Sequence, residues 1–204
     1  MVSVFLTHPE VVVDPSVPIE SWGLTDAGRR RALAAVPSVR LPRSGRIVSS
    51  AERKAVETAD LLARALGTTT TADALLGEID RSATGYLEPV EFEEVVDAFF
   101  ACPTESVRGW ERAVDAQARI VGAVRRLTAD SGELTIVSHG AVGALLLADL
   151  QRVPITRALD QPGMGSVFTF DATTWRAHGG WQRIPLDGDG DGDGDGDGRD
   201  RGLA

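Results

Sequence analysis

The chain has 204 residues, 43% hydrophobic and 25% charged, a globular composition at a length that suits one domain with a sizeable core. The formal charge is −9, but the stretch from Asp187 to Ala204 holds seven Asp against two Arg. The rest therefore carries about −4, which excludes a basic footprint for nucleic acid or an anionic membrane surface.

Met1 to Leu6 lacks the basic and long apolar segments of a signal peptide. No apolar run approaches the ~20 residues that a membrane span needs. Cys102 is the single cysteine, so no intrachain disulfide forms and nothing points to an oxidising compartment. The cytoplasm is the expected location.

Val2 to Leu6 reads as a buried strand. Leu24-Thr25-Asp26-Ala27-Gly28 opens a helix through about Val36, with Thr25 as N-cap and Pro37 and Pro42 as breakers. Arg46 to Ser49 is a second strand, Ala51 to Leu66 a helix closed by Gly67, and Thr68 to Thr71 a third strand. Residues 73 to 87 read as loop. A helix follows from about Pro89 to Phe100, Cys102-Pro103 interrupts, and a longer helix runs from about Arg108 to Thr128. Leu134 to Ser138 is a strongly apolar strand leading into a helix from Gly140 to about Leu150. Val167 to Phe170 and Trp175 to Arg183 read as closing strands.

Strands alternating with helices predict an α/β fold, a three-layer α/β/α sandwich on a mostly parallel sheet. The domain spans 1–185, and 186–204 is an Asp-Gly-rich tail predicted to be disordered, because the strict Asp-Gly alternation from Asp187 to Gly198 has no apolar side chain and self-repelling charge. Asp187, Asp189, Asp191 and Gly192 match the start of an EF-hand loop, but Gly198 stands where a bidentate Glu belongs.

Three histidines occur, His8, His139 and His178. The first two share a context, an apolar strand ending directly in His. Parallel strands of one sheet would bring both imidazoles to its carboxyl edge, where open α/β sheets place ligands. A helix start follows His139 at once, and its free N–H groups and positive dipole end favour an anion. His178 lies in a Gly-rich turn and reads as a surface residue. Cys102 has no basic partner in sequence and reads as inert.

These segments resemble the histidine phosphatase (phosphoglycerate mutase-like) superfamily. That family has a strand ending in Arg-His-Gly, a Leu-Thr-x-x-Gly helix start like Leu24 to Gly28, and a Ser-Ser…Arg-Ala-x-x-Thr-Ala segment like Ser49 to Ala59. It also has a Leu-x-Glu segment like Leu76-Gly77-Glu78 and a final Ser-His-Gly like Ser138-His139-Gly140. The resemblance covers residues 2 to about 150. It departs at Thr7-His8-Pro9, where a neutral Thr replaces Arg, and at Asp14, a carboxylate where the family has Asn.

The resemblance implies a phosphomonoester phosphatase. His8 would be the phosphate-accepting nucleophile and Glu78 the general acid and base, with Asp80 and Glu88 competing for that role. Arg53, His139 and Gly140 would bind phosphate. It implies a small phosphorylated substrate, no cofactor and no metal. Thr7 predicts a slow enzyme unless another cation fills the gap, and Arg46, Arg81 and Arg176 are the candidates. A non-catalytic member that binds a phosphorylated ligand or a protein is the main alternative. A metal hydrolase built from His8, His139, Asp14 and Glu78 is the other, and its spacing matches no metal motif. A phosphoglycerate mutase is disfavoured by the short segment after Leu76-Gly77-Glu78.

Overall fold

The computed structural model describes residues 2–42, 46–129 and 133–186. The Asp-Gly repeat, with the disorder and the calcium loop considered for it, lies outside the described residues. In chain order the elements are β1 Val2–Thr7, α1 Asp26–Ser38, β2 Arg46–Ser49, α2 Arg53–Leu66, β3 Thr70–Ala72, α3 Pro89–Ala101, α4 Ala113–Ala129, β4 Leu134–Ser138, α5 Gly140–Gln151, β5 Ser166–Asp171, β6 Arg176–Ala177 and β7 Gln182–Arg183.

Local chemistry sets most of these boundaries. The Thr25 hydroxyl accepts from the Gly28 amide and starts α1. Gly28 itself has to be glycine, because a Cβ there would run into the Glu10 backbone carbonyl. Gly67 closes α2 in the left-handed region at φ 68°. Pro89 occupies the first turn of α3, where its missing N–H costs nothing.

Helix α2 and strand β3 each begin two residues later than expected, at Arg53 and Thr70, and three further boundaries differ for local reasons. Helix α1 continues through Pro37 to Ser38, whose hydroxyl donates to Ala34 O at 2.5 Å, and Val39 N donates to Ala35 O at 2.8 Å. Helix α4 begins at Ala113, not Arg108, because Arg108 and Gly109 sit at φ 51° and 84°. The closing strand divides into β6 and β7 around a turn with Gly179 at φ 86°.

The sheet order is β3-β2-β4-β1-β5-β6, with β7 also pairing β5. The four strands β3, β2, β4 and β1 run parallel, and β5 adds on antiparallel beside β1. Side chains alternate across this sheet. Phe5, Val48, Ile136, Phe168 and Phe170 enter a core with α3, α4 and α5. Val4, Leu6, Ile47, Val137 and Val167 enter a second core with α1 and α2. The result is the expected α/β/α sandwich. Among the described residues no helix is long and apolar enough to cross a membrane.

Candidate active site

Strands β1 and β4 are adjacent and parallel, with Thr7 opposite Ser138, so the next residue of each leaves the sheet at the same carboxyl edge. These residues are His8 and His139. The His8 amide donates to Ser138 O at 3.0 Å, and the two rings lie 5.2 Å apart at 65°. Both side chains are buried, at 1% and 0% exposure. His8 Nδ1 sits 2.9 Å from Pro9 O, which can only accept. The proton therefore resides on Nδ1 and the lone pair on Nε2. Burial, then His139 and Lys54, hold His8 well below the usual imidazole range, against the Pro9 bond and Glu52. Burial, then Lys54, Arg81 and Arg119, do the same to His139. Burial thus disfavours the charged form of both rings.

Strand β2 lies on the other side of β4, with Ser49 opposite Val137, and its carboxyl end feeds the first turn of α2. Here the structure departs from the sequence reading. Arg53 does not reach the histidines. Its side chain is 61% exposed, donates to Glu57 Oε1 at 2.8 Å, and has its second contact at Ser21 O, 3.3 Å away. Lys54, one residue on, is fully buried. Its ammonium donates to Ile19 O at 3.1 Å and pairs with Glu52 Oε2 at 2.9 Å. Consecutive helical residues point about 100° apart, so only one of the two can face inward. The signal was in the sequence: in Arg-Ala-x-x-Thr-Ala the Arg directly precedes Ala, and Ala55-Val56-Glu57-Thr58-Ala59 places Lys54 on that position.

Glu52 is the second residue that sequence reasoning missed. Its side chain is 13% exposed. Oε1 accepts from the Glu78 amide at 2.8 Å and lies 3.2 Å from His139 Nε2. Asp14, by contrast, is an exposed carboxylate that accepts from Ser16 N at 2.9 Å and Ser16 Oγ at 2.6 Å. The negative charge expected from Asp14 thus comes from Glu52.

Glu78 reaches the same pocket from the loop before α3. Its carboxylate caps α5, accepting from Ala141 N at 3.2 Å, Val142 N at 3.1 Å and Ile79 N at 3.0 Å. Although the residue keeps some exposure, its carboxyl group is enclosed, and burial followed by the Glu52 charge raises its pKa, against the Ile79 amide, Arg81 and the Val142 amide. That direction suits a carboxyl group that must donate a proton near neutrality. Arg119 holds the loop in place by donating to Leu75 O, Gly77 O and Glu78 O, while pairing with Glu111. Of the two competing carboxylates, Asp80 bonds Ser82 N at the surface and Glu88 starts α3 at the surface.

Thr7 is fully buried. Its hydroxyl donates to Gln161 Oε1 at 2.6 Å and accepts from Ser166 N at 3.0 Å. Gln161 in turn lies over Gly140, where a Cβ would collide with its side-chain amide. Of the three arginines suggested as substitutes, only Arg81 comes to the site, packed 4.9 Å over the Phe92 ring and facing Glu78 and Glu52. Arg46 begins β2 at the opposite edge of the sheet, and Arg176 begins β6 opposite Asp171 of β5 in the strand register. His178 borders a separate hollow with Arg40 and Glu133.

Two clefts meet at Glu78 and Arg81. One is lined by Ser50, Glu52 and Lys54. The other is lined by Phe92, Val96, Gly140, Arg157 and Gln161. Neither His8 nor His139 lines either cleft; the cluster as a whole brings together an imidazole whose Nδ1 is committed to Pro9 O, the cations Lys54 and Arg81, and a carboxyl group of raised pKa. That set matches in-line phosphoryl transfer, which asks mainly for alignment and positive charge around the equatorial oxygens. Among the described residues no three His, Cys, Asp or Glu are grouped to hold a metal ion.

The model of the histidine phosphatase superfamily (branch 1) matches residues 19–189. No protein of curated function matches. Among solved structures, the native mycobacterial glucosyl-3-phosphoglycerate phosphatase is 25% identical, with a TM-score of 0.70 over 89% of this chain and 95% of its own. The same mycobacterial enzyme with inorganic phosphate is 26% identical, with a TM-score of 0.69 over 82% and 88%. YhfR of Bacillus stearothermophilus shares the fold at 21% identity, with a TM-score of 0.71 over 87% and 94%.

Proposed function

This chain belongs to branch 1 of the histidine phosphatase superfamily, and on that premise we propose that it is a slow phosphomonoester phosphatase working through a phosphohistidine on His8. The observation that carries the reading is the pairing of His8 and His139 at one sheet edge, with Nδ1 of His8 committed to Pro9 O and Nε2 left as the nucleophile. The mycobacterial enzyme named for a phosphatase activity, whose structure is also known with inorganic phosphate, supports the reaction class.

In the first step His8 Nε2 attacks phosphorus as the bond to the leaving oxygen breaks, and Glu78 gives that oxygen its proton. In the second step water attacks the phosphoryl group, Glu78 takes the water's proton, and the P–N bond breaks to return His8. Lys54 and Arg81 would carry the charge of the equatorial oxygens, the Ala141 and Val142 amides of α5 being committed to Glu78. Losing one preorganised donor at Thr7 costs such an enzyme about 10²–10³ in turnover, which is why the rate is expected to be low. The phosphorylated substrate would seat its leaving group in the cleft of Phe92, Arg157 and Gln161.

The test is steady-state hydrolysis of p-nitrophenyl phosphate and a panel of sugar and alkyl phosphates. Activity abolished in His8→Ala and in no exposed-surface control supports the proposal, and full activity in His8→Ala refutes it. A second reading, a phosphate-binding member without turnover, draws on the Glu52 carboxylate within the cluster of cations. Phosphate binding with no hydrolysis of any of these esters would favour it.

A further inference from the structure

We propose that the Glu52 carboxylate is an internal stand-in for the substrate's phosphoryl group, filling the anion subsite until an incoming phosphate displaces it. This rests on the phosphatase reading of the pocket and specifies what governs its occupancy.

Groups from three separate segments converge on this one carboxylate, an ammonium and a backbone N–H that donate to it and an imidazole nitrogen that lies beside it without a hydrogen bond. The Lys54 ammonium lies 2.9 Å from Oε2, the Glu78 backbone N–H 2.8 Å from Oε1, and His139 Nε2 3.2 Å from Oε1. Lys54 and His139 are fully buried, and Glu52 is nearly so. A buried ammonium and a backbone amide are donors of the kind that phosphate recognition uses, and the His139 ring, whose nitrogens have no hydrogen-bond partner, is at hand for a larger anion. The chain supplies its own anion to them.

Glu52 stands at the N-cap of α2, yet its side chain makes no capping bond there. It can rotate out of the pocket without unwinding the helix. Free phosphate entering while Glu52 remains would place a dianion against a carboxylate, and like charges brought together in a partly dehydrated site are strongly opposed. Small esters and orthophosphate therefore have to expel Glu52 using phosphate contacts alone. A substrate whose leaving group also packs on Phe92 and meets Arg157 gains contacts that the small ester lacks. Glu52 thus selects against simple phosphate and for larger phosphomonoesters.

Orthophosphate binding to the full chain, measured by titration calorimetry at fixed pH for wild type, Glu52→Gln and Glu52→Leu, tests this. Both variants should bind orthophosphate on the order of tenfold more tightly, or better. The gain should persist on a His8→Asn background, where no phosphoryl transfer occurs. Affinity that is unchanged or lower in a folded variant overturns the proposal, since Glu52 would then serve to hold Lys54 and His139 in place. In the unaltered chain, saturating orthophosphate should shift the Glu52 carboxyl-carbon resonance, and an unmoved resonance is equally fatal. Gained affinity without turnover in any form would refute the phosphatase reading and leave this one standing.

Discussion

Replacing Lys54 with methionine keeps most of the side-chain volume and removes the ammonium, so it isolates the role of one buried cation. Lys54 is fully buried and its charge is matched by Glu52 at 2.9 Å and by Ile19 O at 3.1 Å. Removing one partner of a buried pair costs about 3–5 kcal/mol. Glu52 keeps the Glu78 amide and some exposure, so about 2–3 kcal/mol is the fitting range here. For a domain of this size that is a fall in Tm of roughly 5–10 °C. Turnover should drop by about 10²–10³ as a preorganised donor is lost.

Arg53→Ala is the matched control. Glu57 retains Arg29 at 2.8 Å and the Leu24 amide at 3.0 Å, and the lost pair is exposed, so the cost is about 0.5 kcal/mol with activity within a factor of about two. The double variant Glu52→Gln/Lys54→Met removes both charges and should recover much of the stability lost by Lys54→Met alone. Thermal melts with steady-state kinetics on the four proteins measure this. A hundredfold loss in Arg53→Ala, with Lys54→Met near wild type, would refute the assignment of the cation.

Glu78→Gln should lower kcat for alkyl phosphates by about 10²–10⁴ but spare p-nitrophenyl phosphate, whose leaving group needs no proton; equal losses on both would contradict the acid role. His8 and His139 are held below the ordinary imidazole value by burial, so the unfolded chain takes up protons first as pH falls. Stability present above pH ~6.5 should then decline below it by up to about 1.4 kcal/mol per pH unit for each ring. Glu78, raised by burial, works in the opposite sense at lower pH and offsets part of this loss. Denaturant titrations should show that slope in wild type and not in His8→Gln/His139→Gln; equal slopes would remove the two rings as its source. Arg119→Met takes the donors from three loop carbonyls and should lower kcat more than it changes KM, with a stability loss of about 1–3 kcal/mol; an unchanged kcat would mean that the loop holds Glu78 without it.

What the sequence made legible follows from how local each signal is. β2 and β4 were readable to the residue because each is a short apolar run with its own boundaries, and the shared strand-then-His grammar correctly brought His8 and His139 together. The error at Arg53 was one of register on a helix, where a shift of one residue turns a side chain from core to solvent. Anchoring on Ala55, which packs into the core with Ala59, resolves it. Glu52 and Gln161 carried no such local signal. Each is polar and unremarkable in its own segment, and each matters through a partner far along the chain: Glu52 through His139, Gln161 through Thr7. The break before α4 was likewise invisible, since Arg108 is not a residue whose type announces a positive φ.

The central claim is that the His8 imidazole accepts the phosphoryl group. Brief reaction with a ³²P-labelled phosphomonoester followed by denaturing quench tests it most directly. The account predicts a label that acid removes and mild base does not, mapping to the peptide that contains His8 and absent from His8→Asn. Hydrolysis that proceeds with no label on that peptide, or a label that survives in the His8→Asn protein, would contradict it.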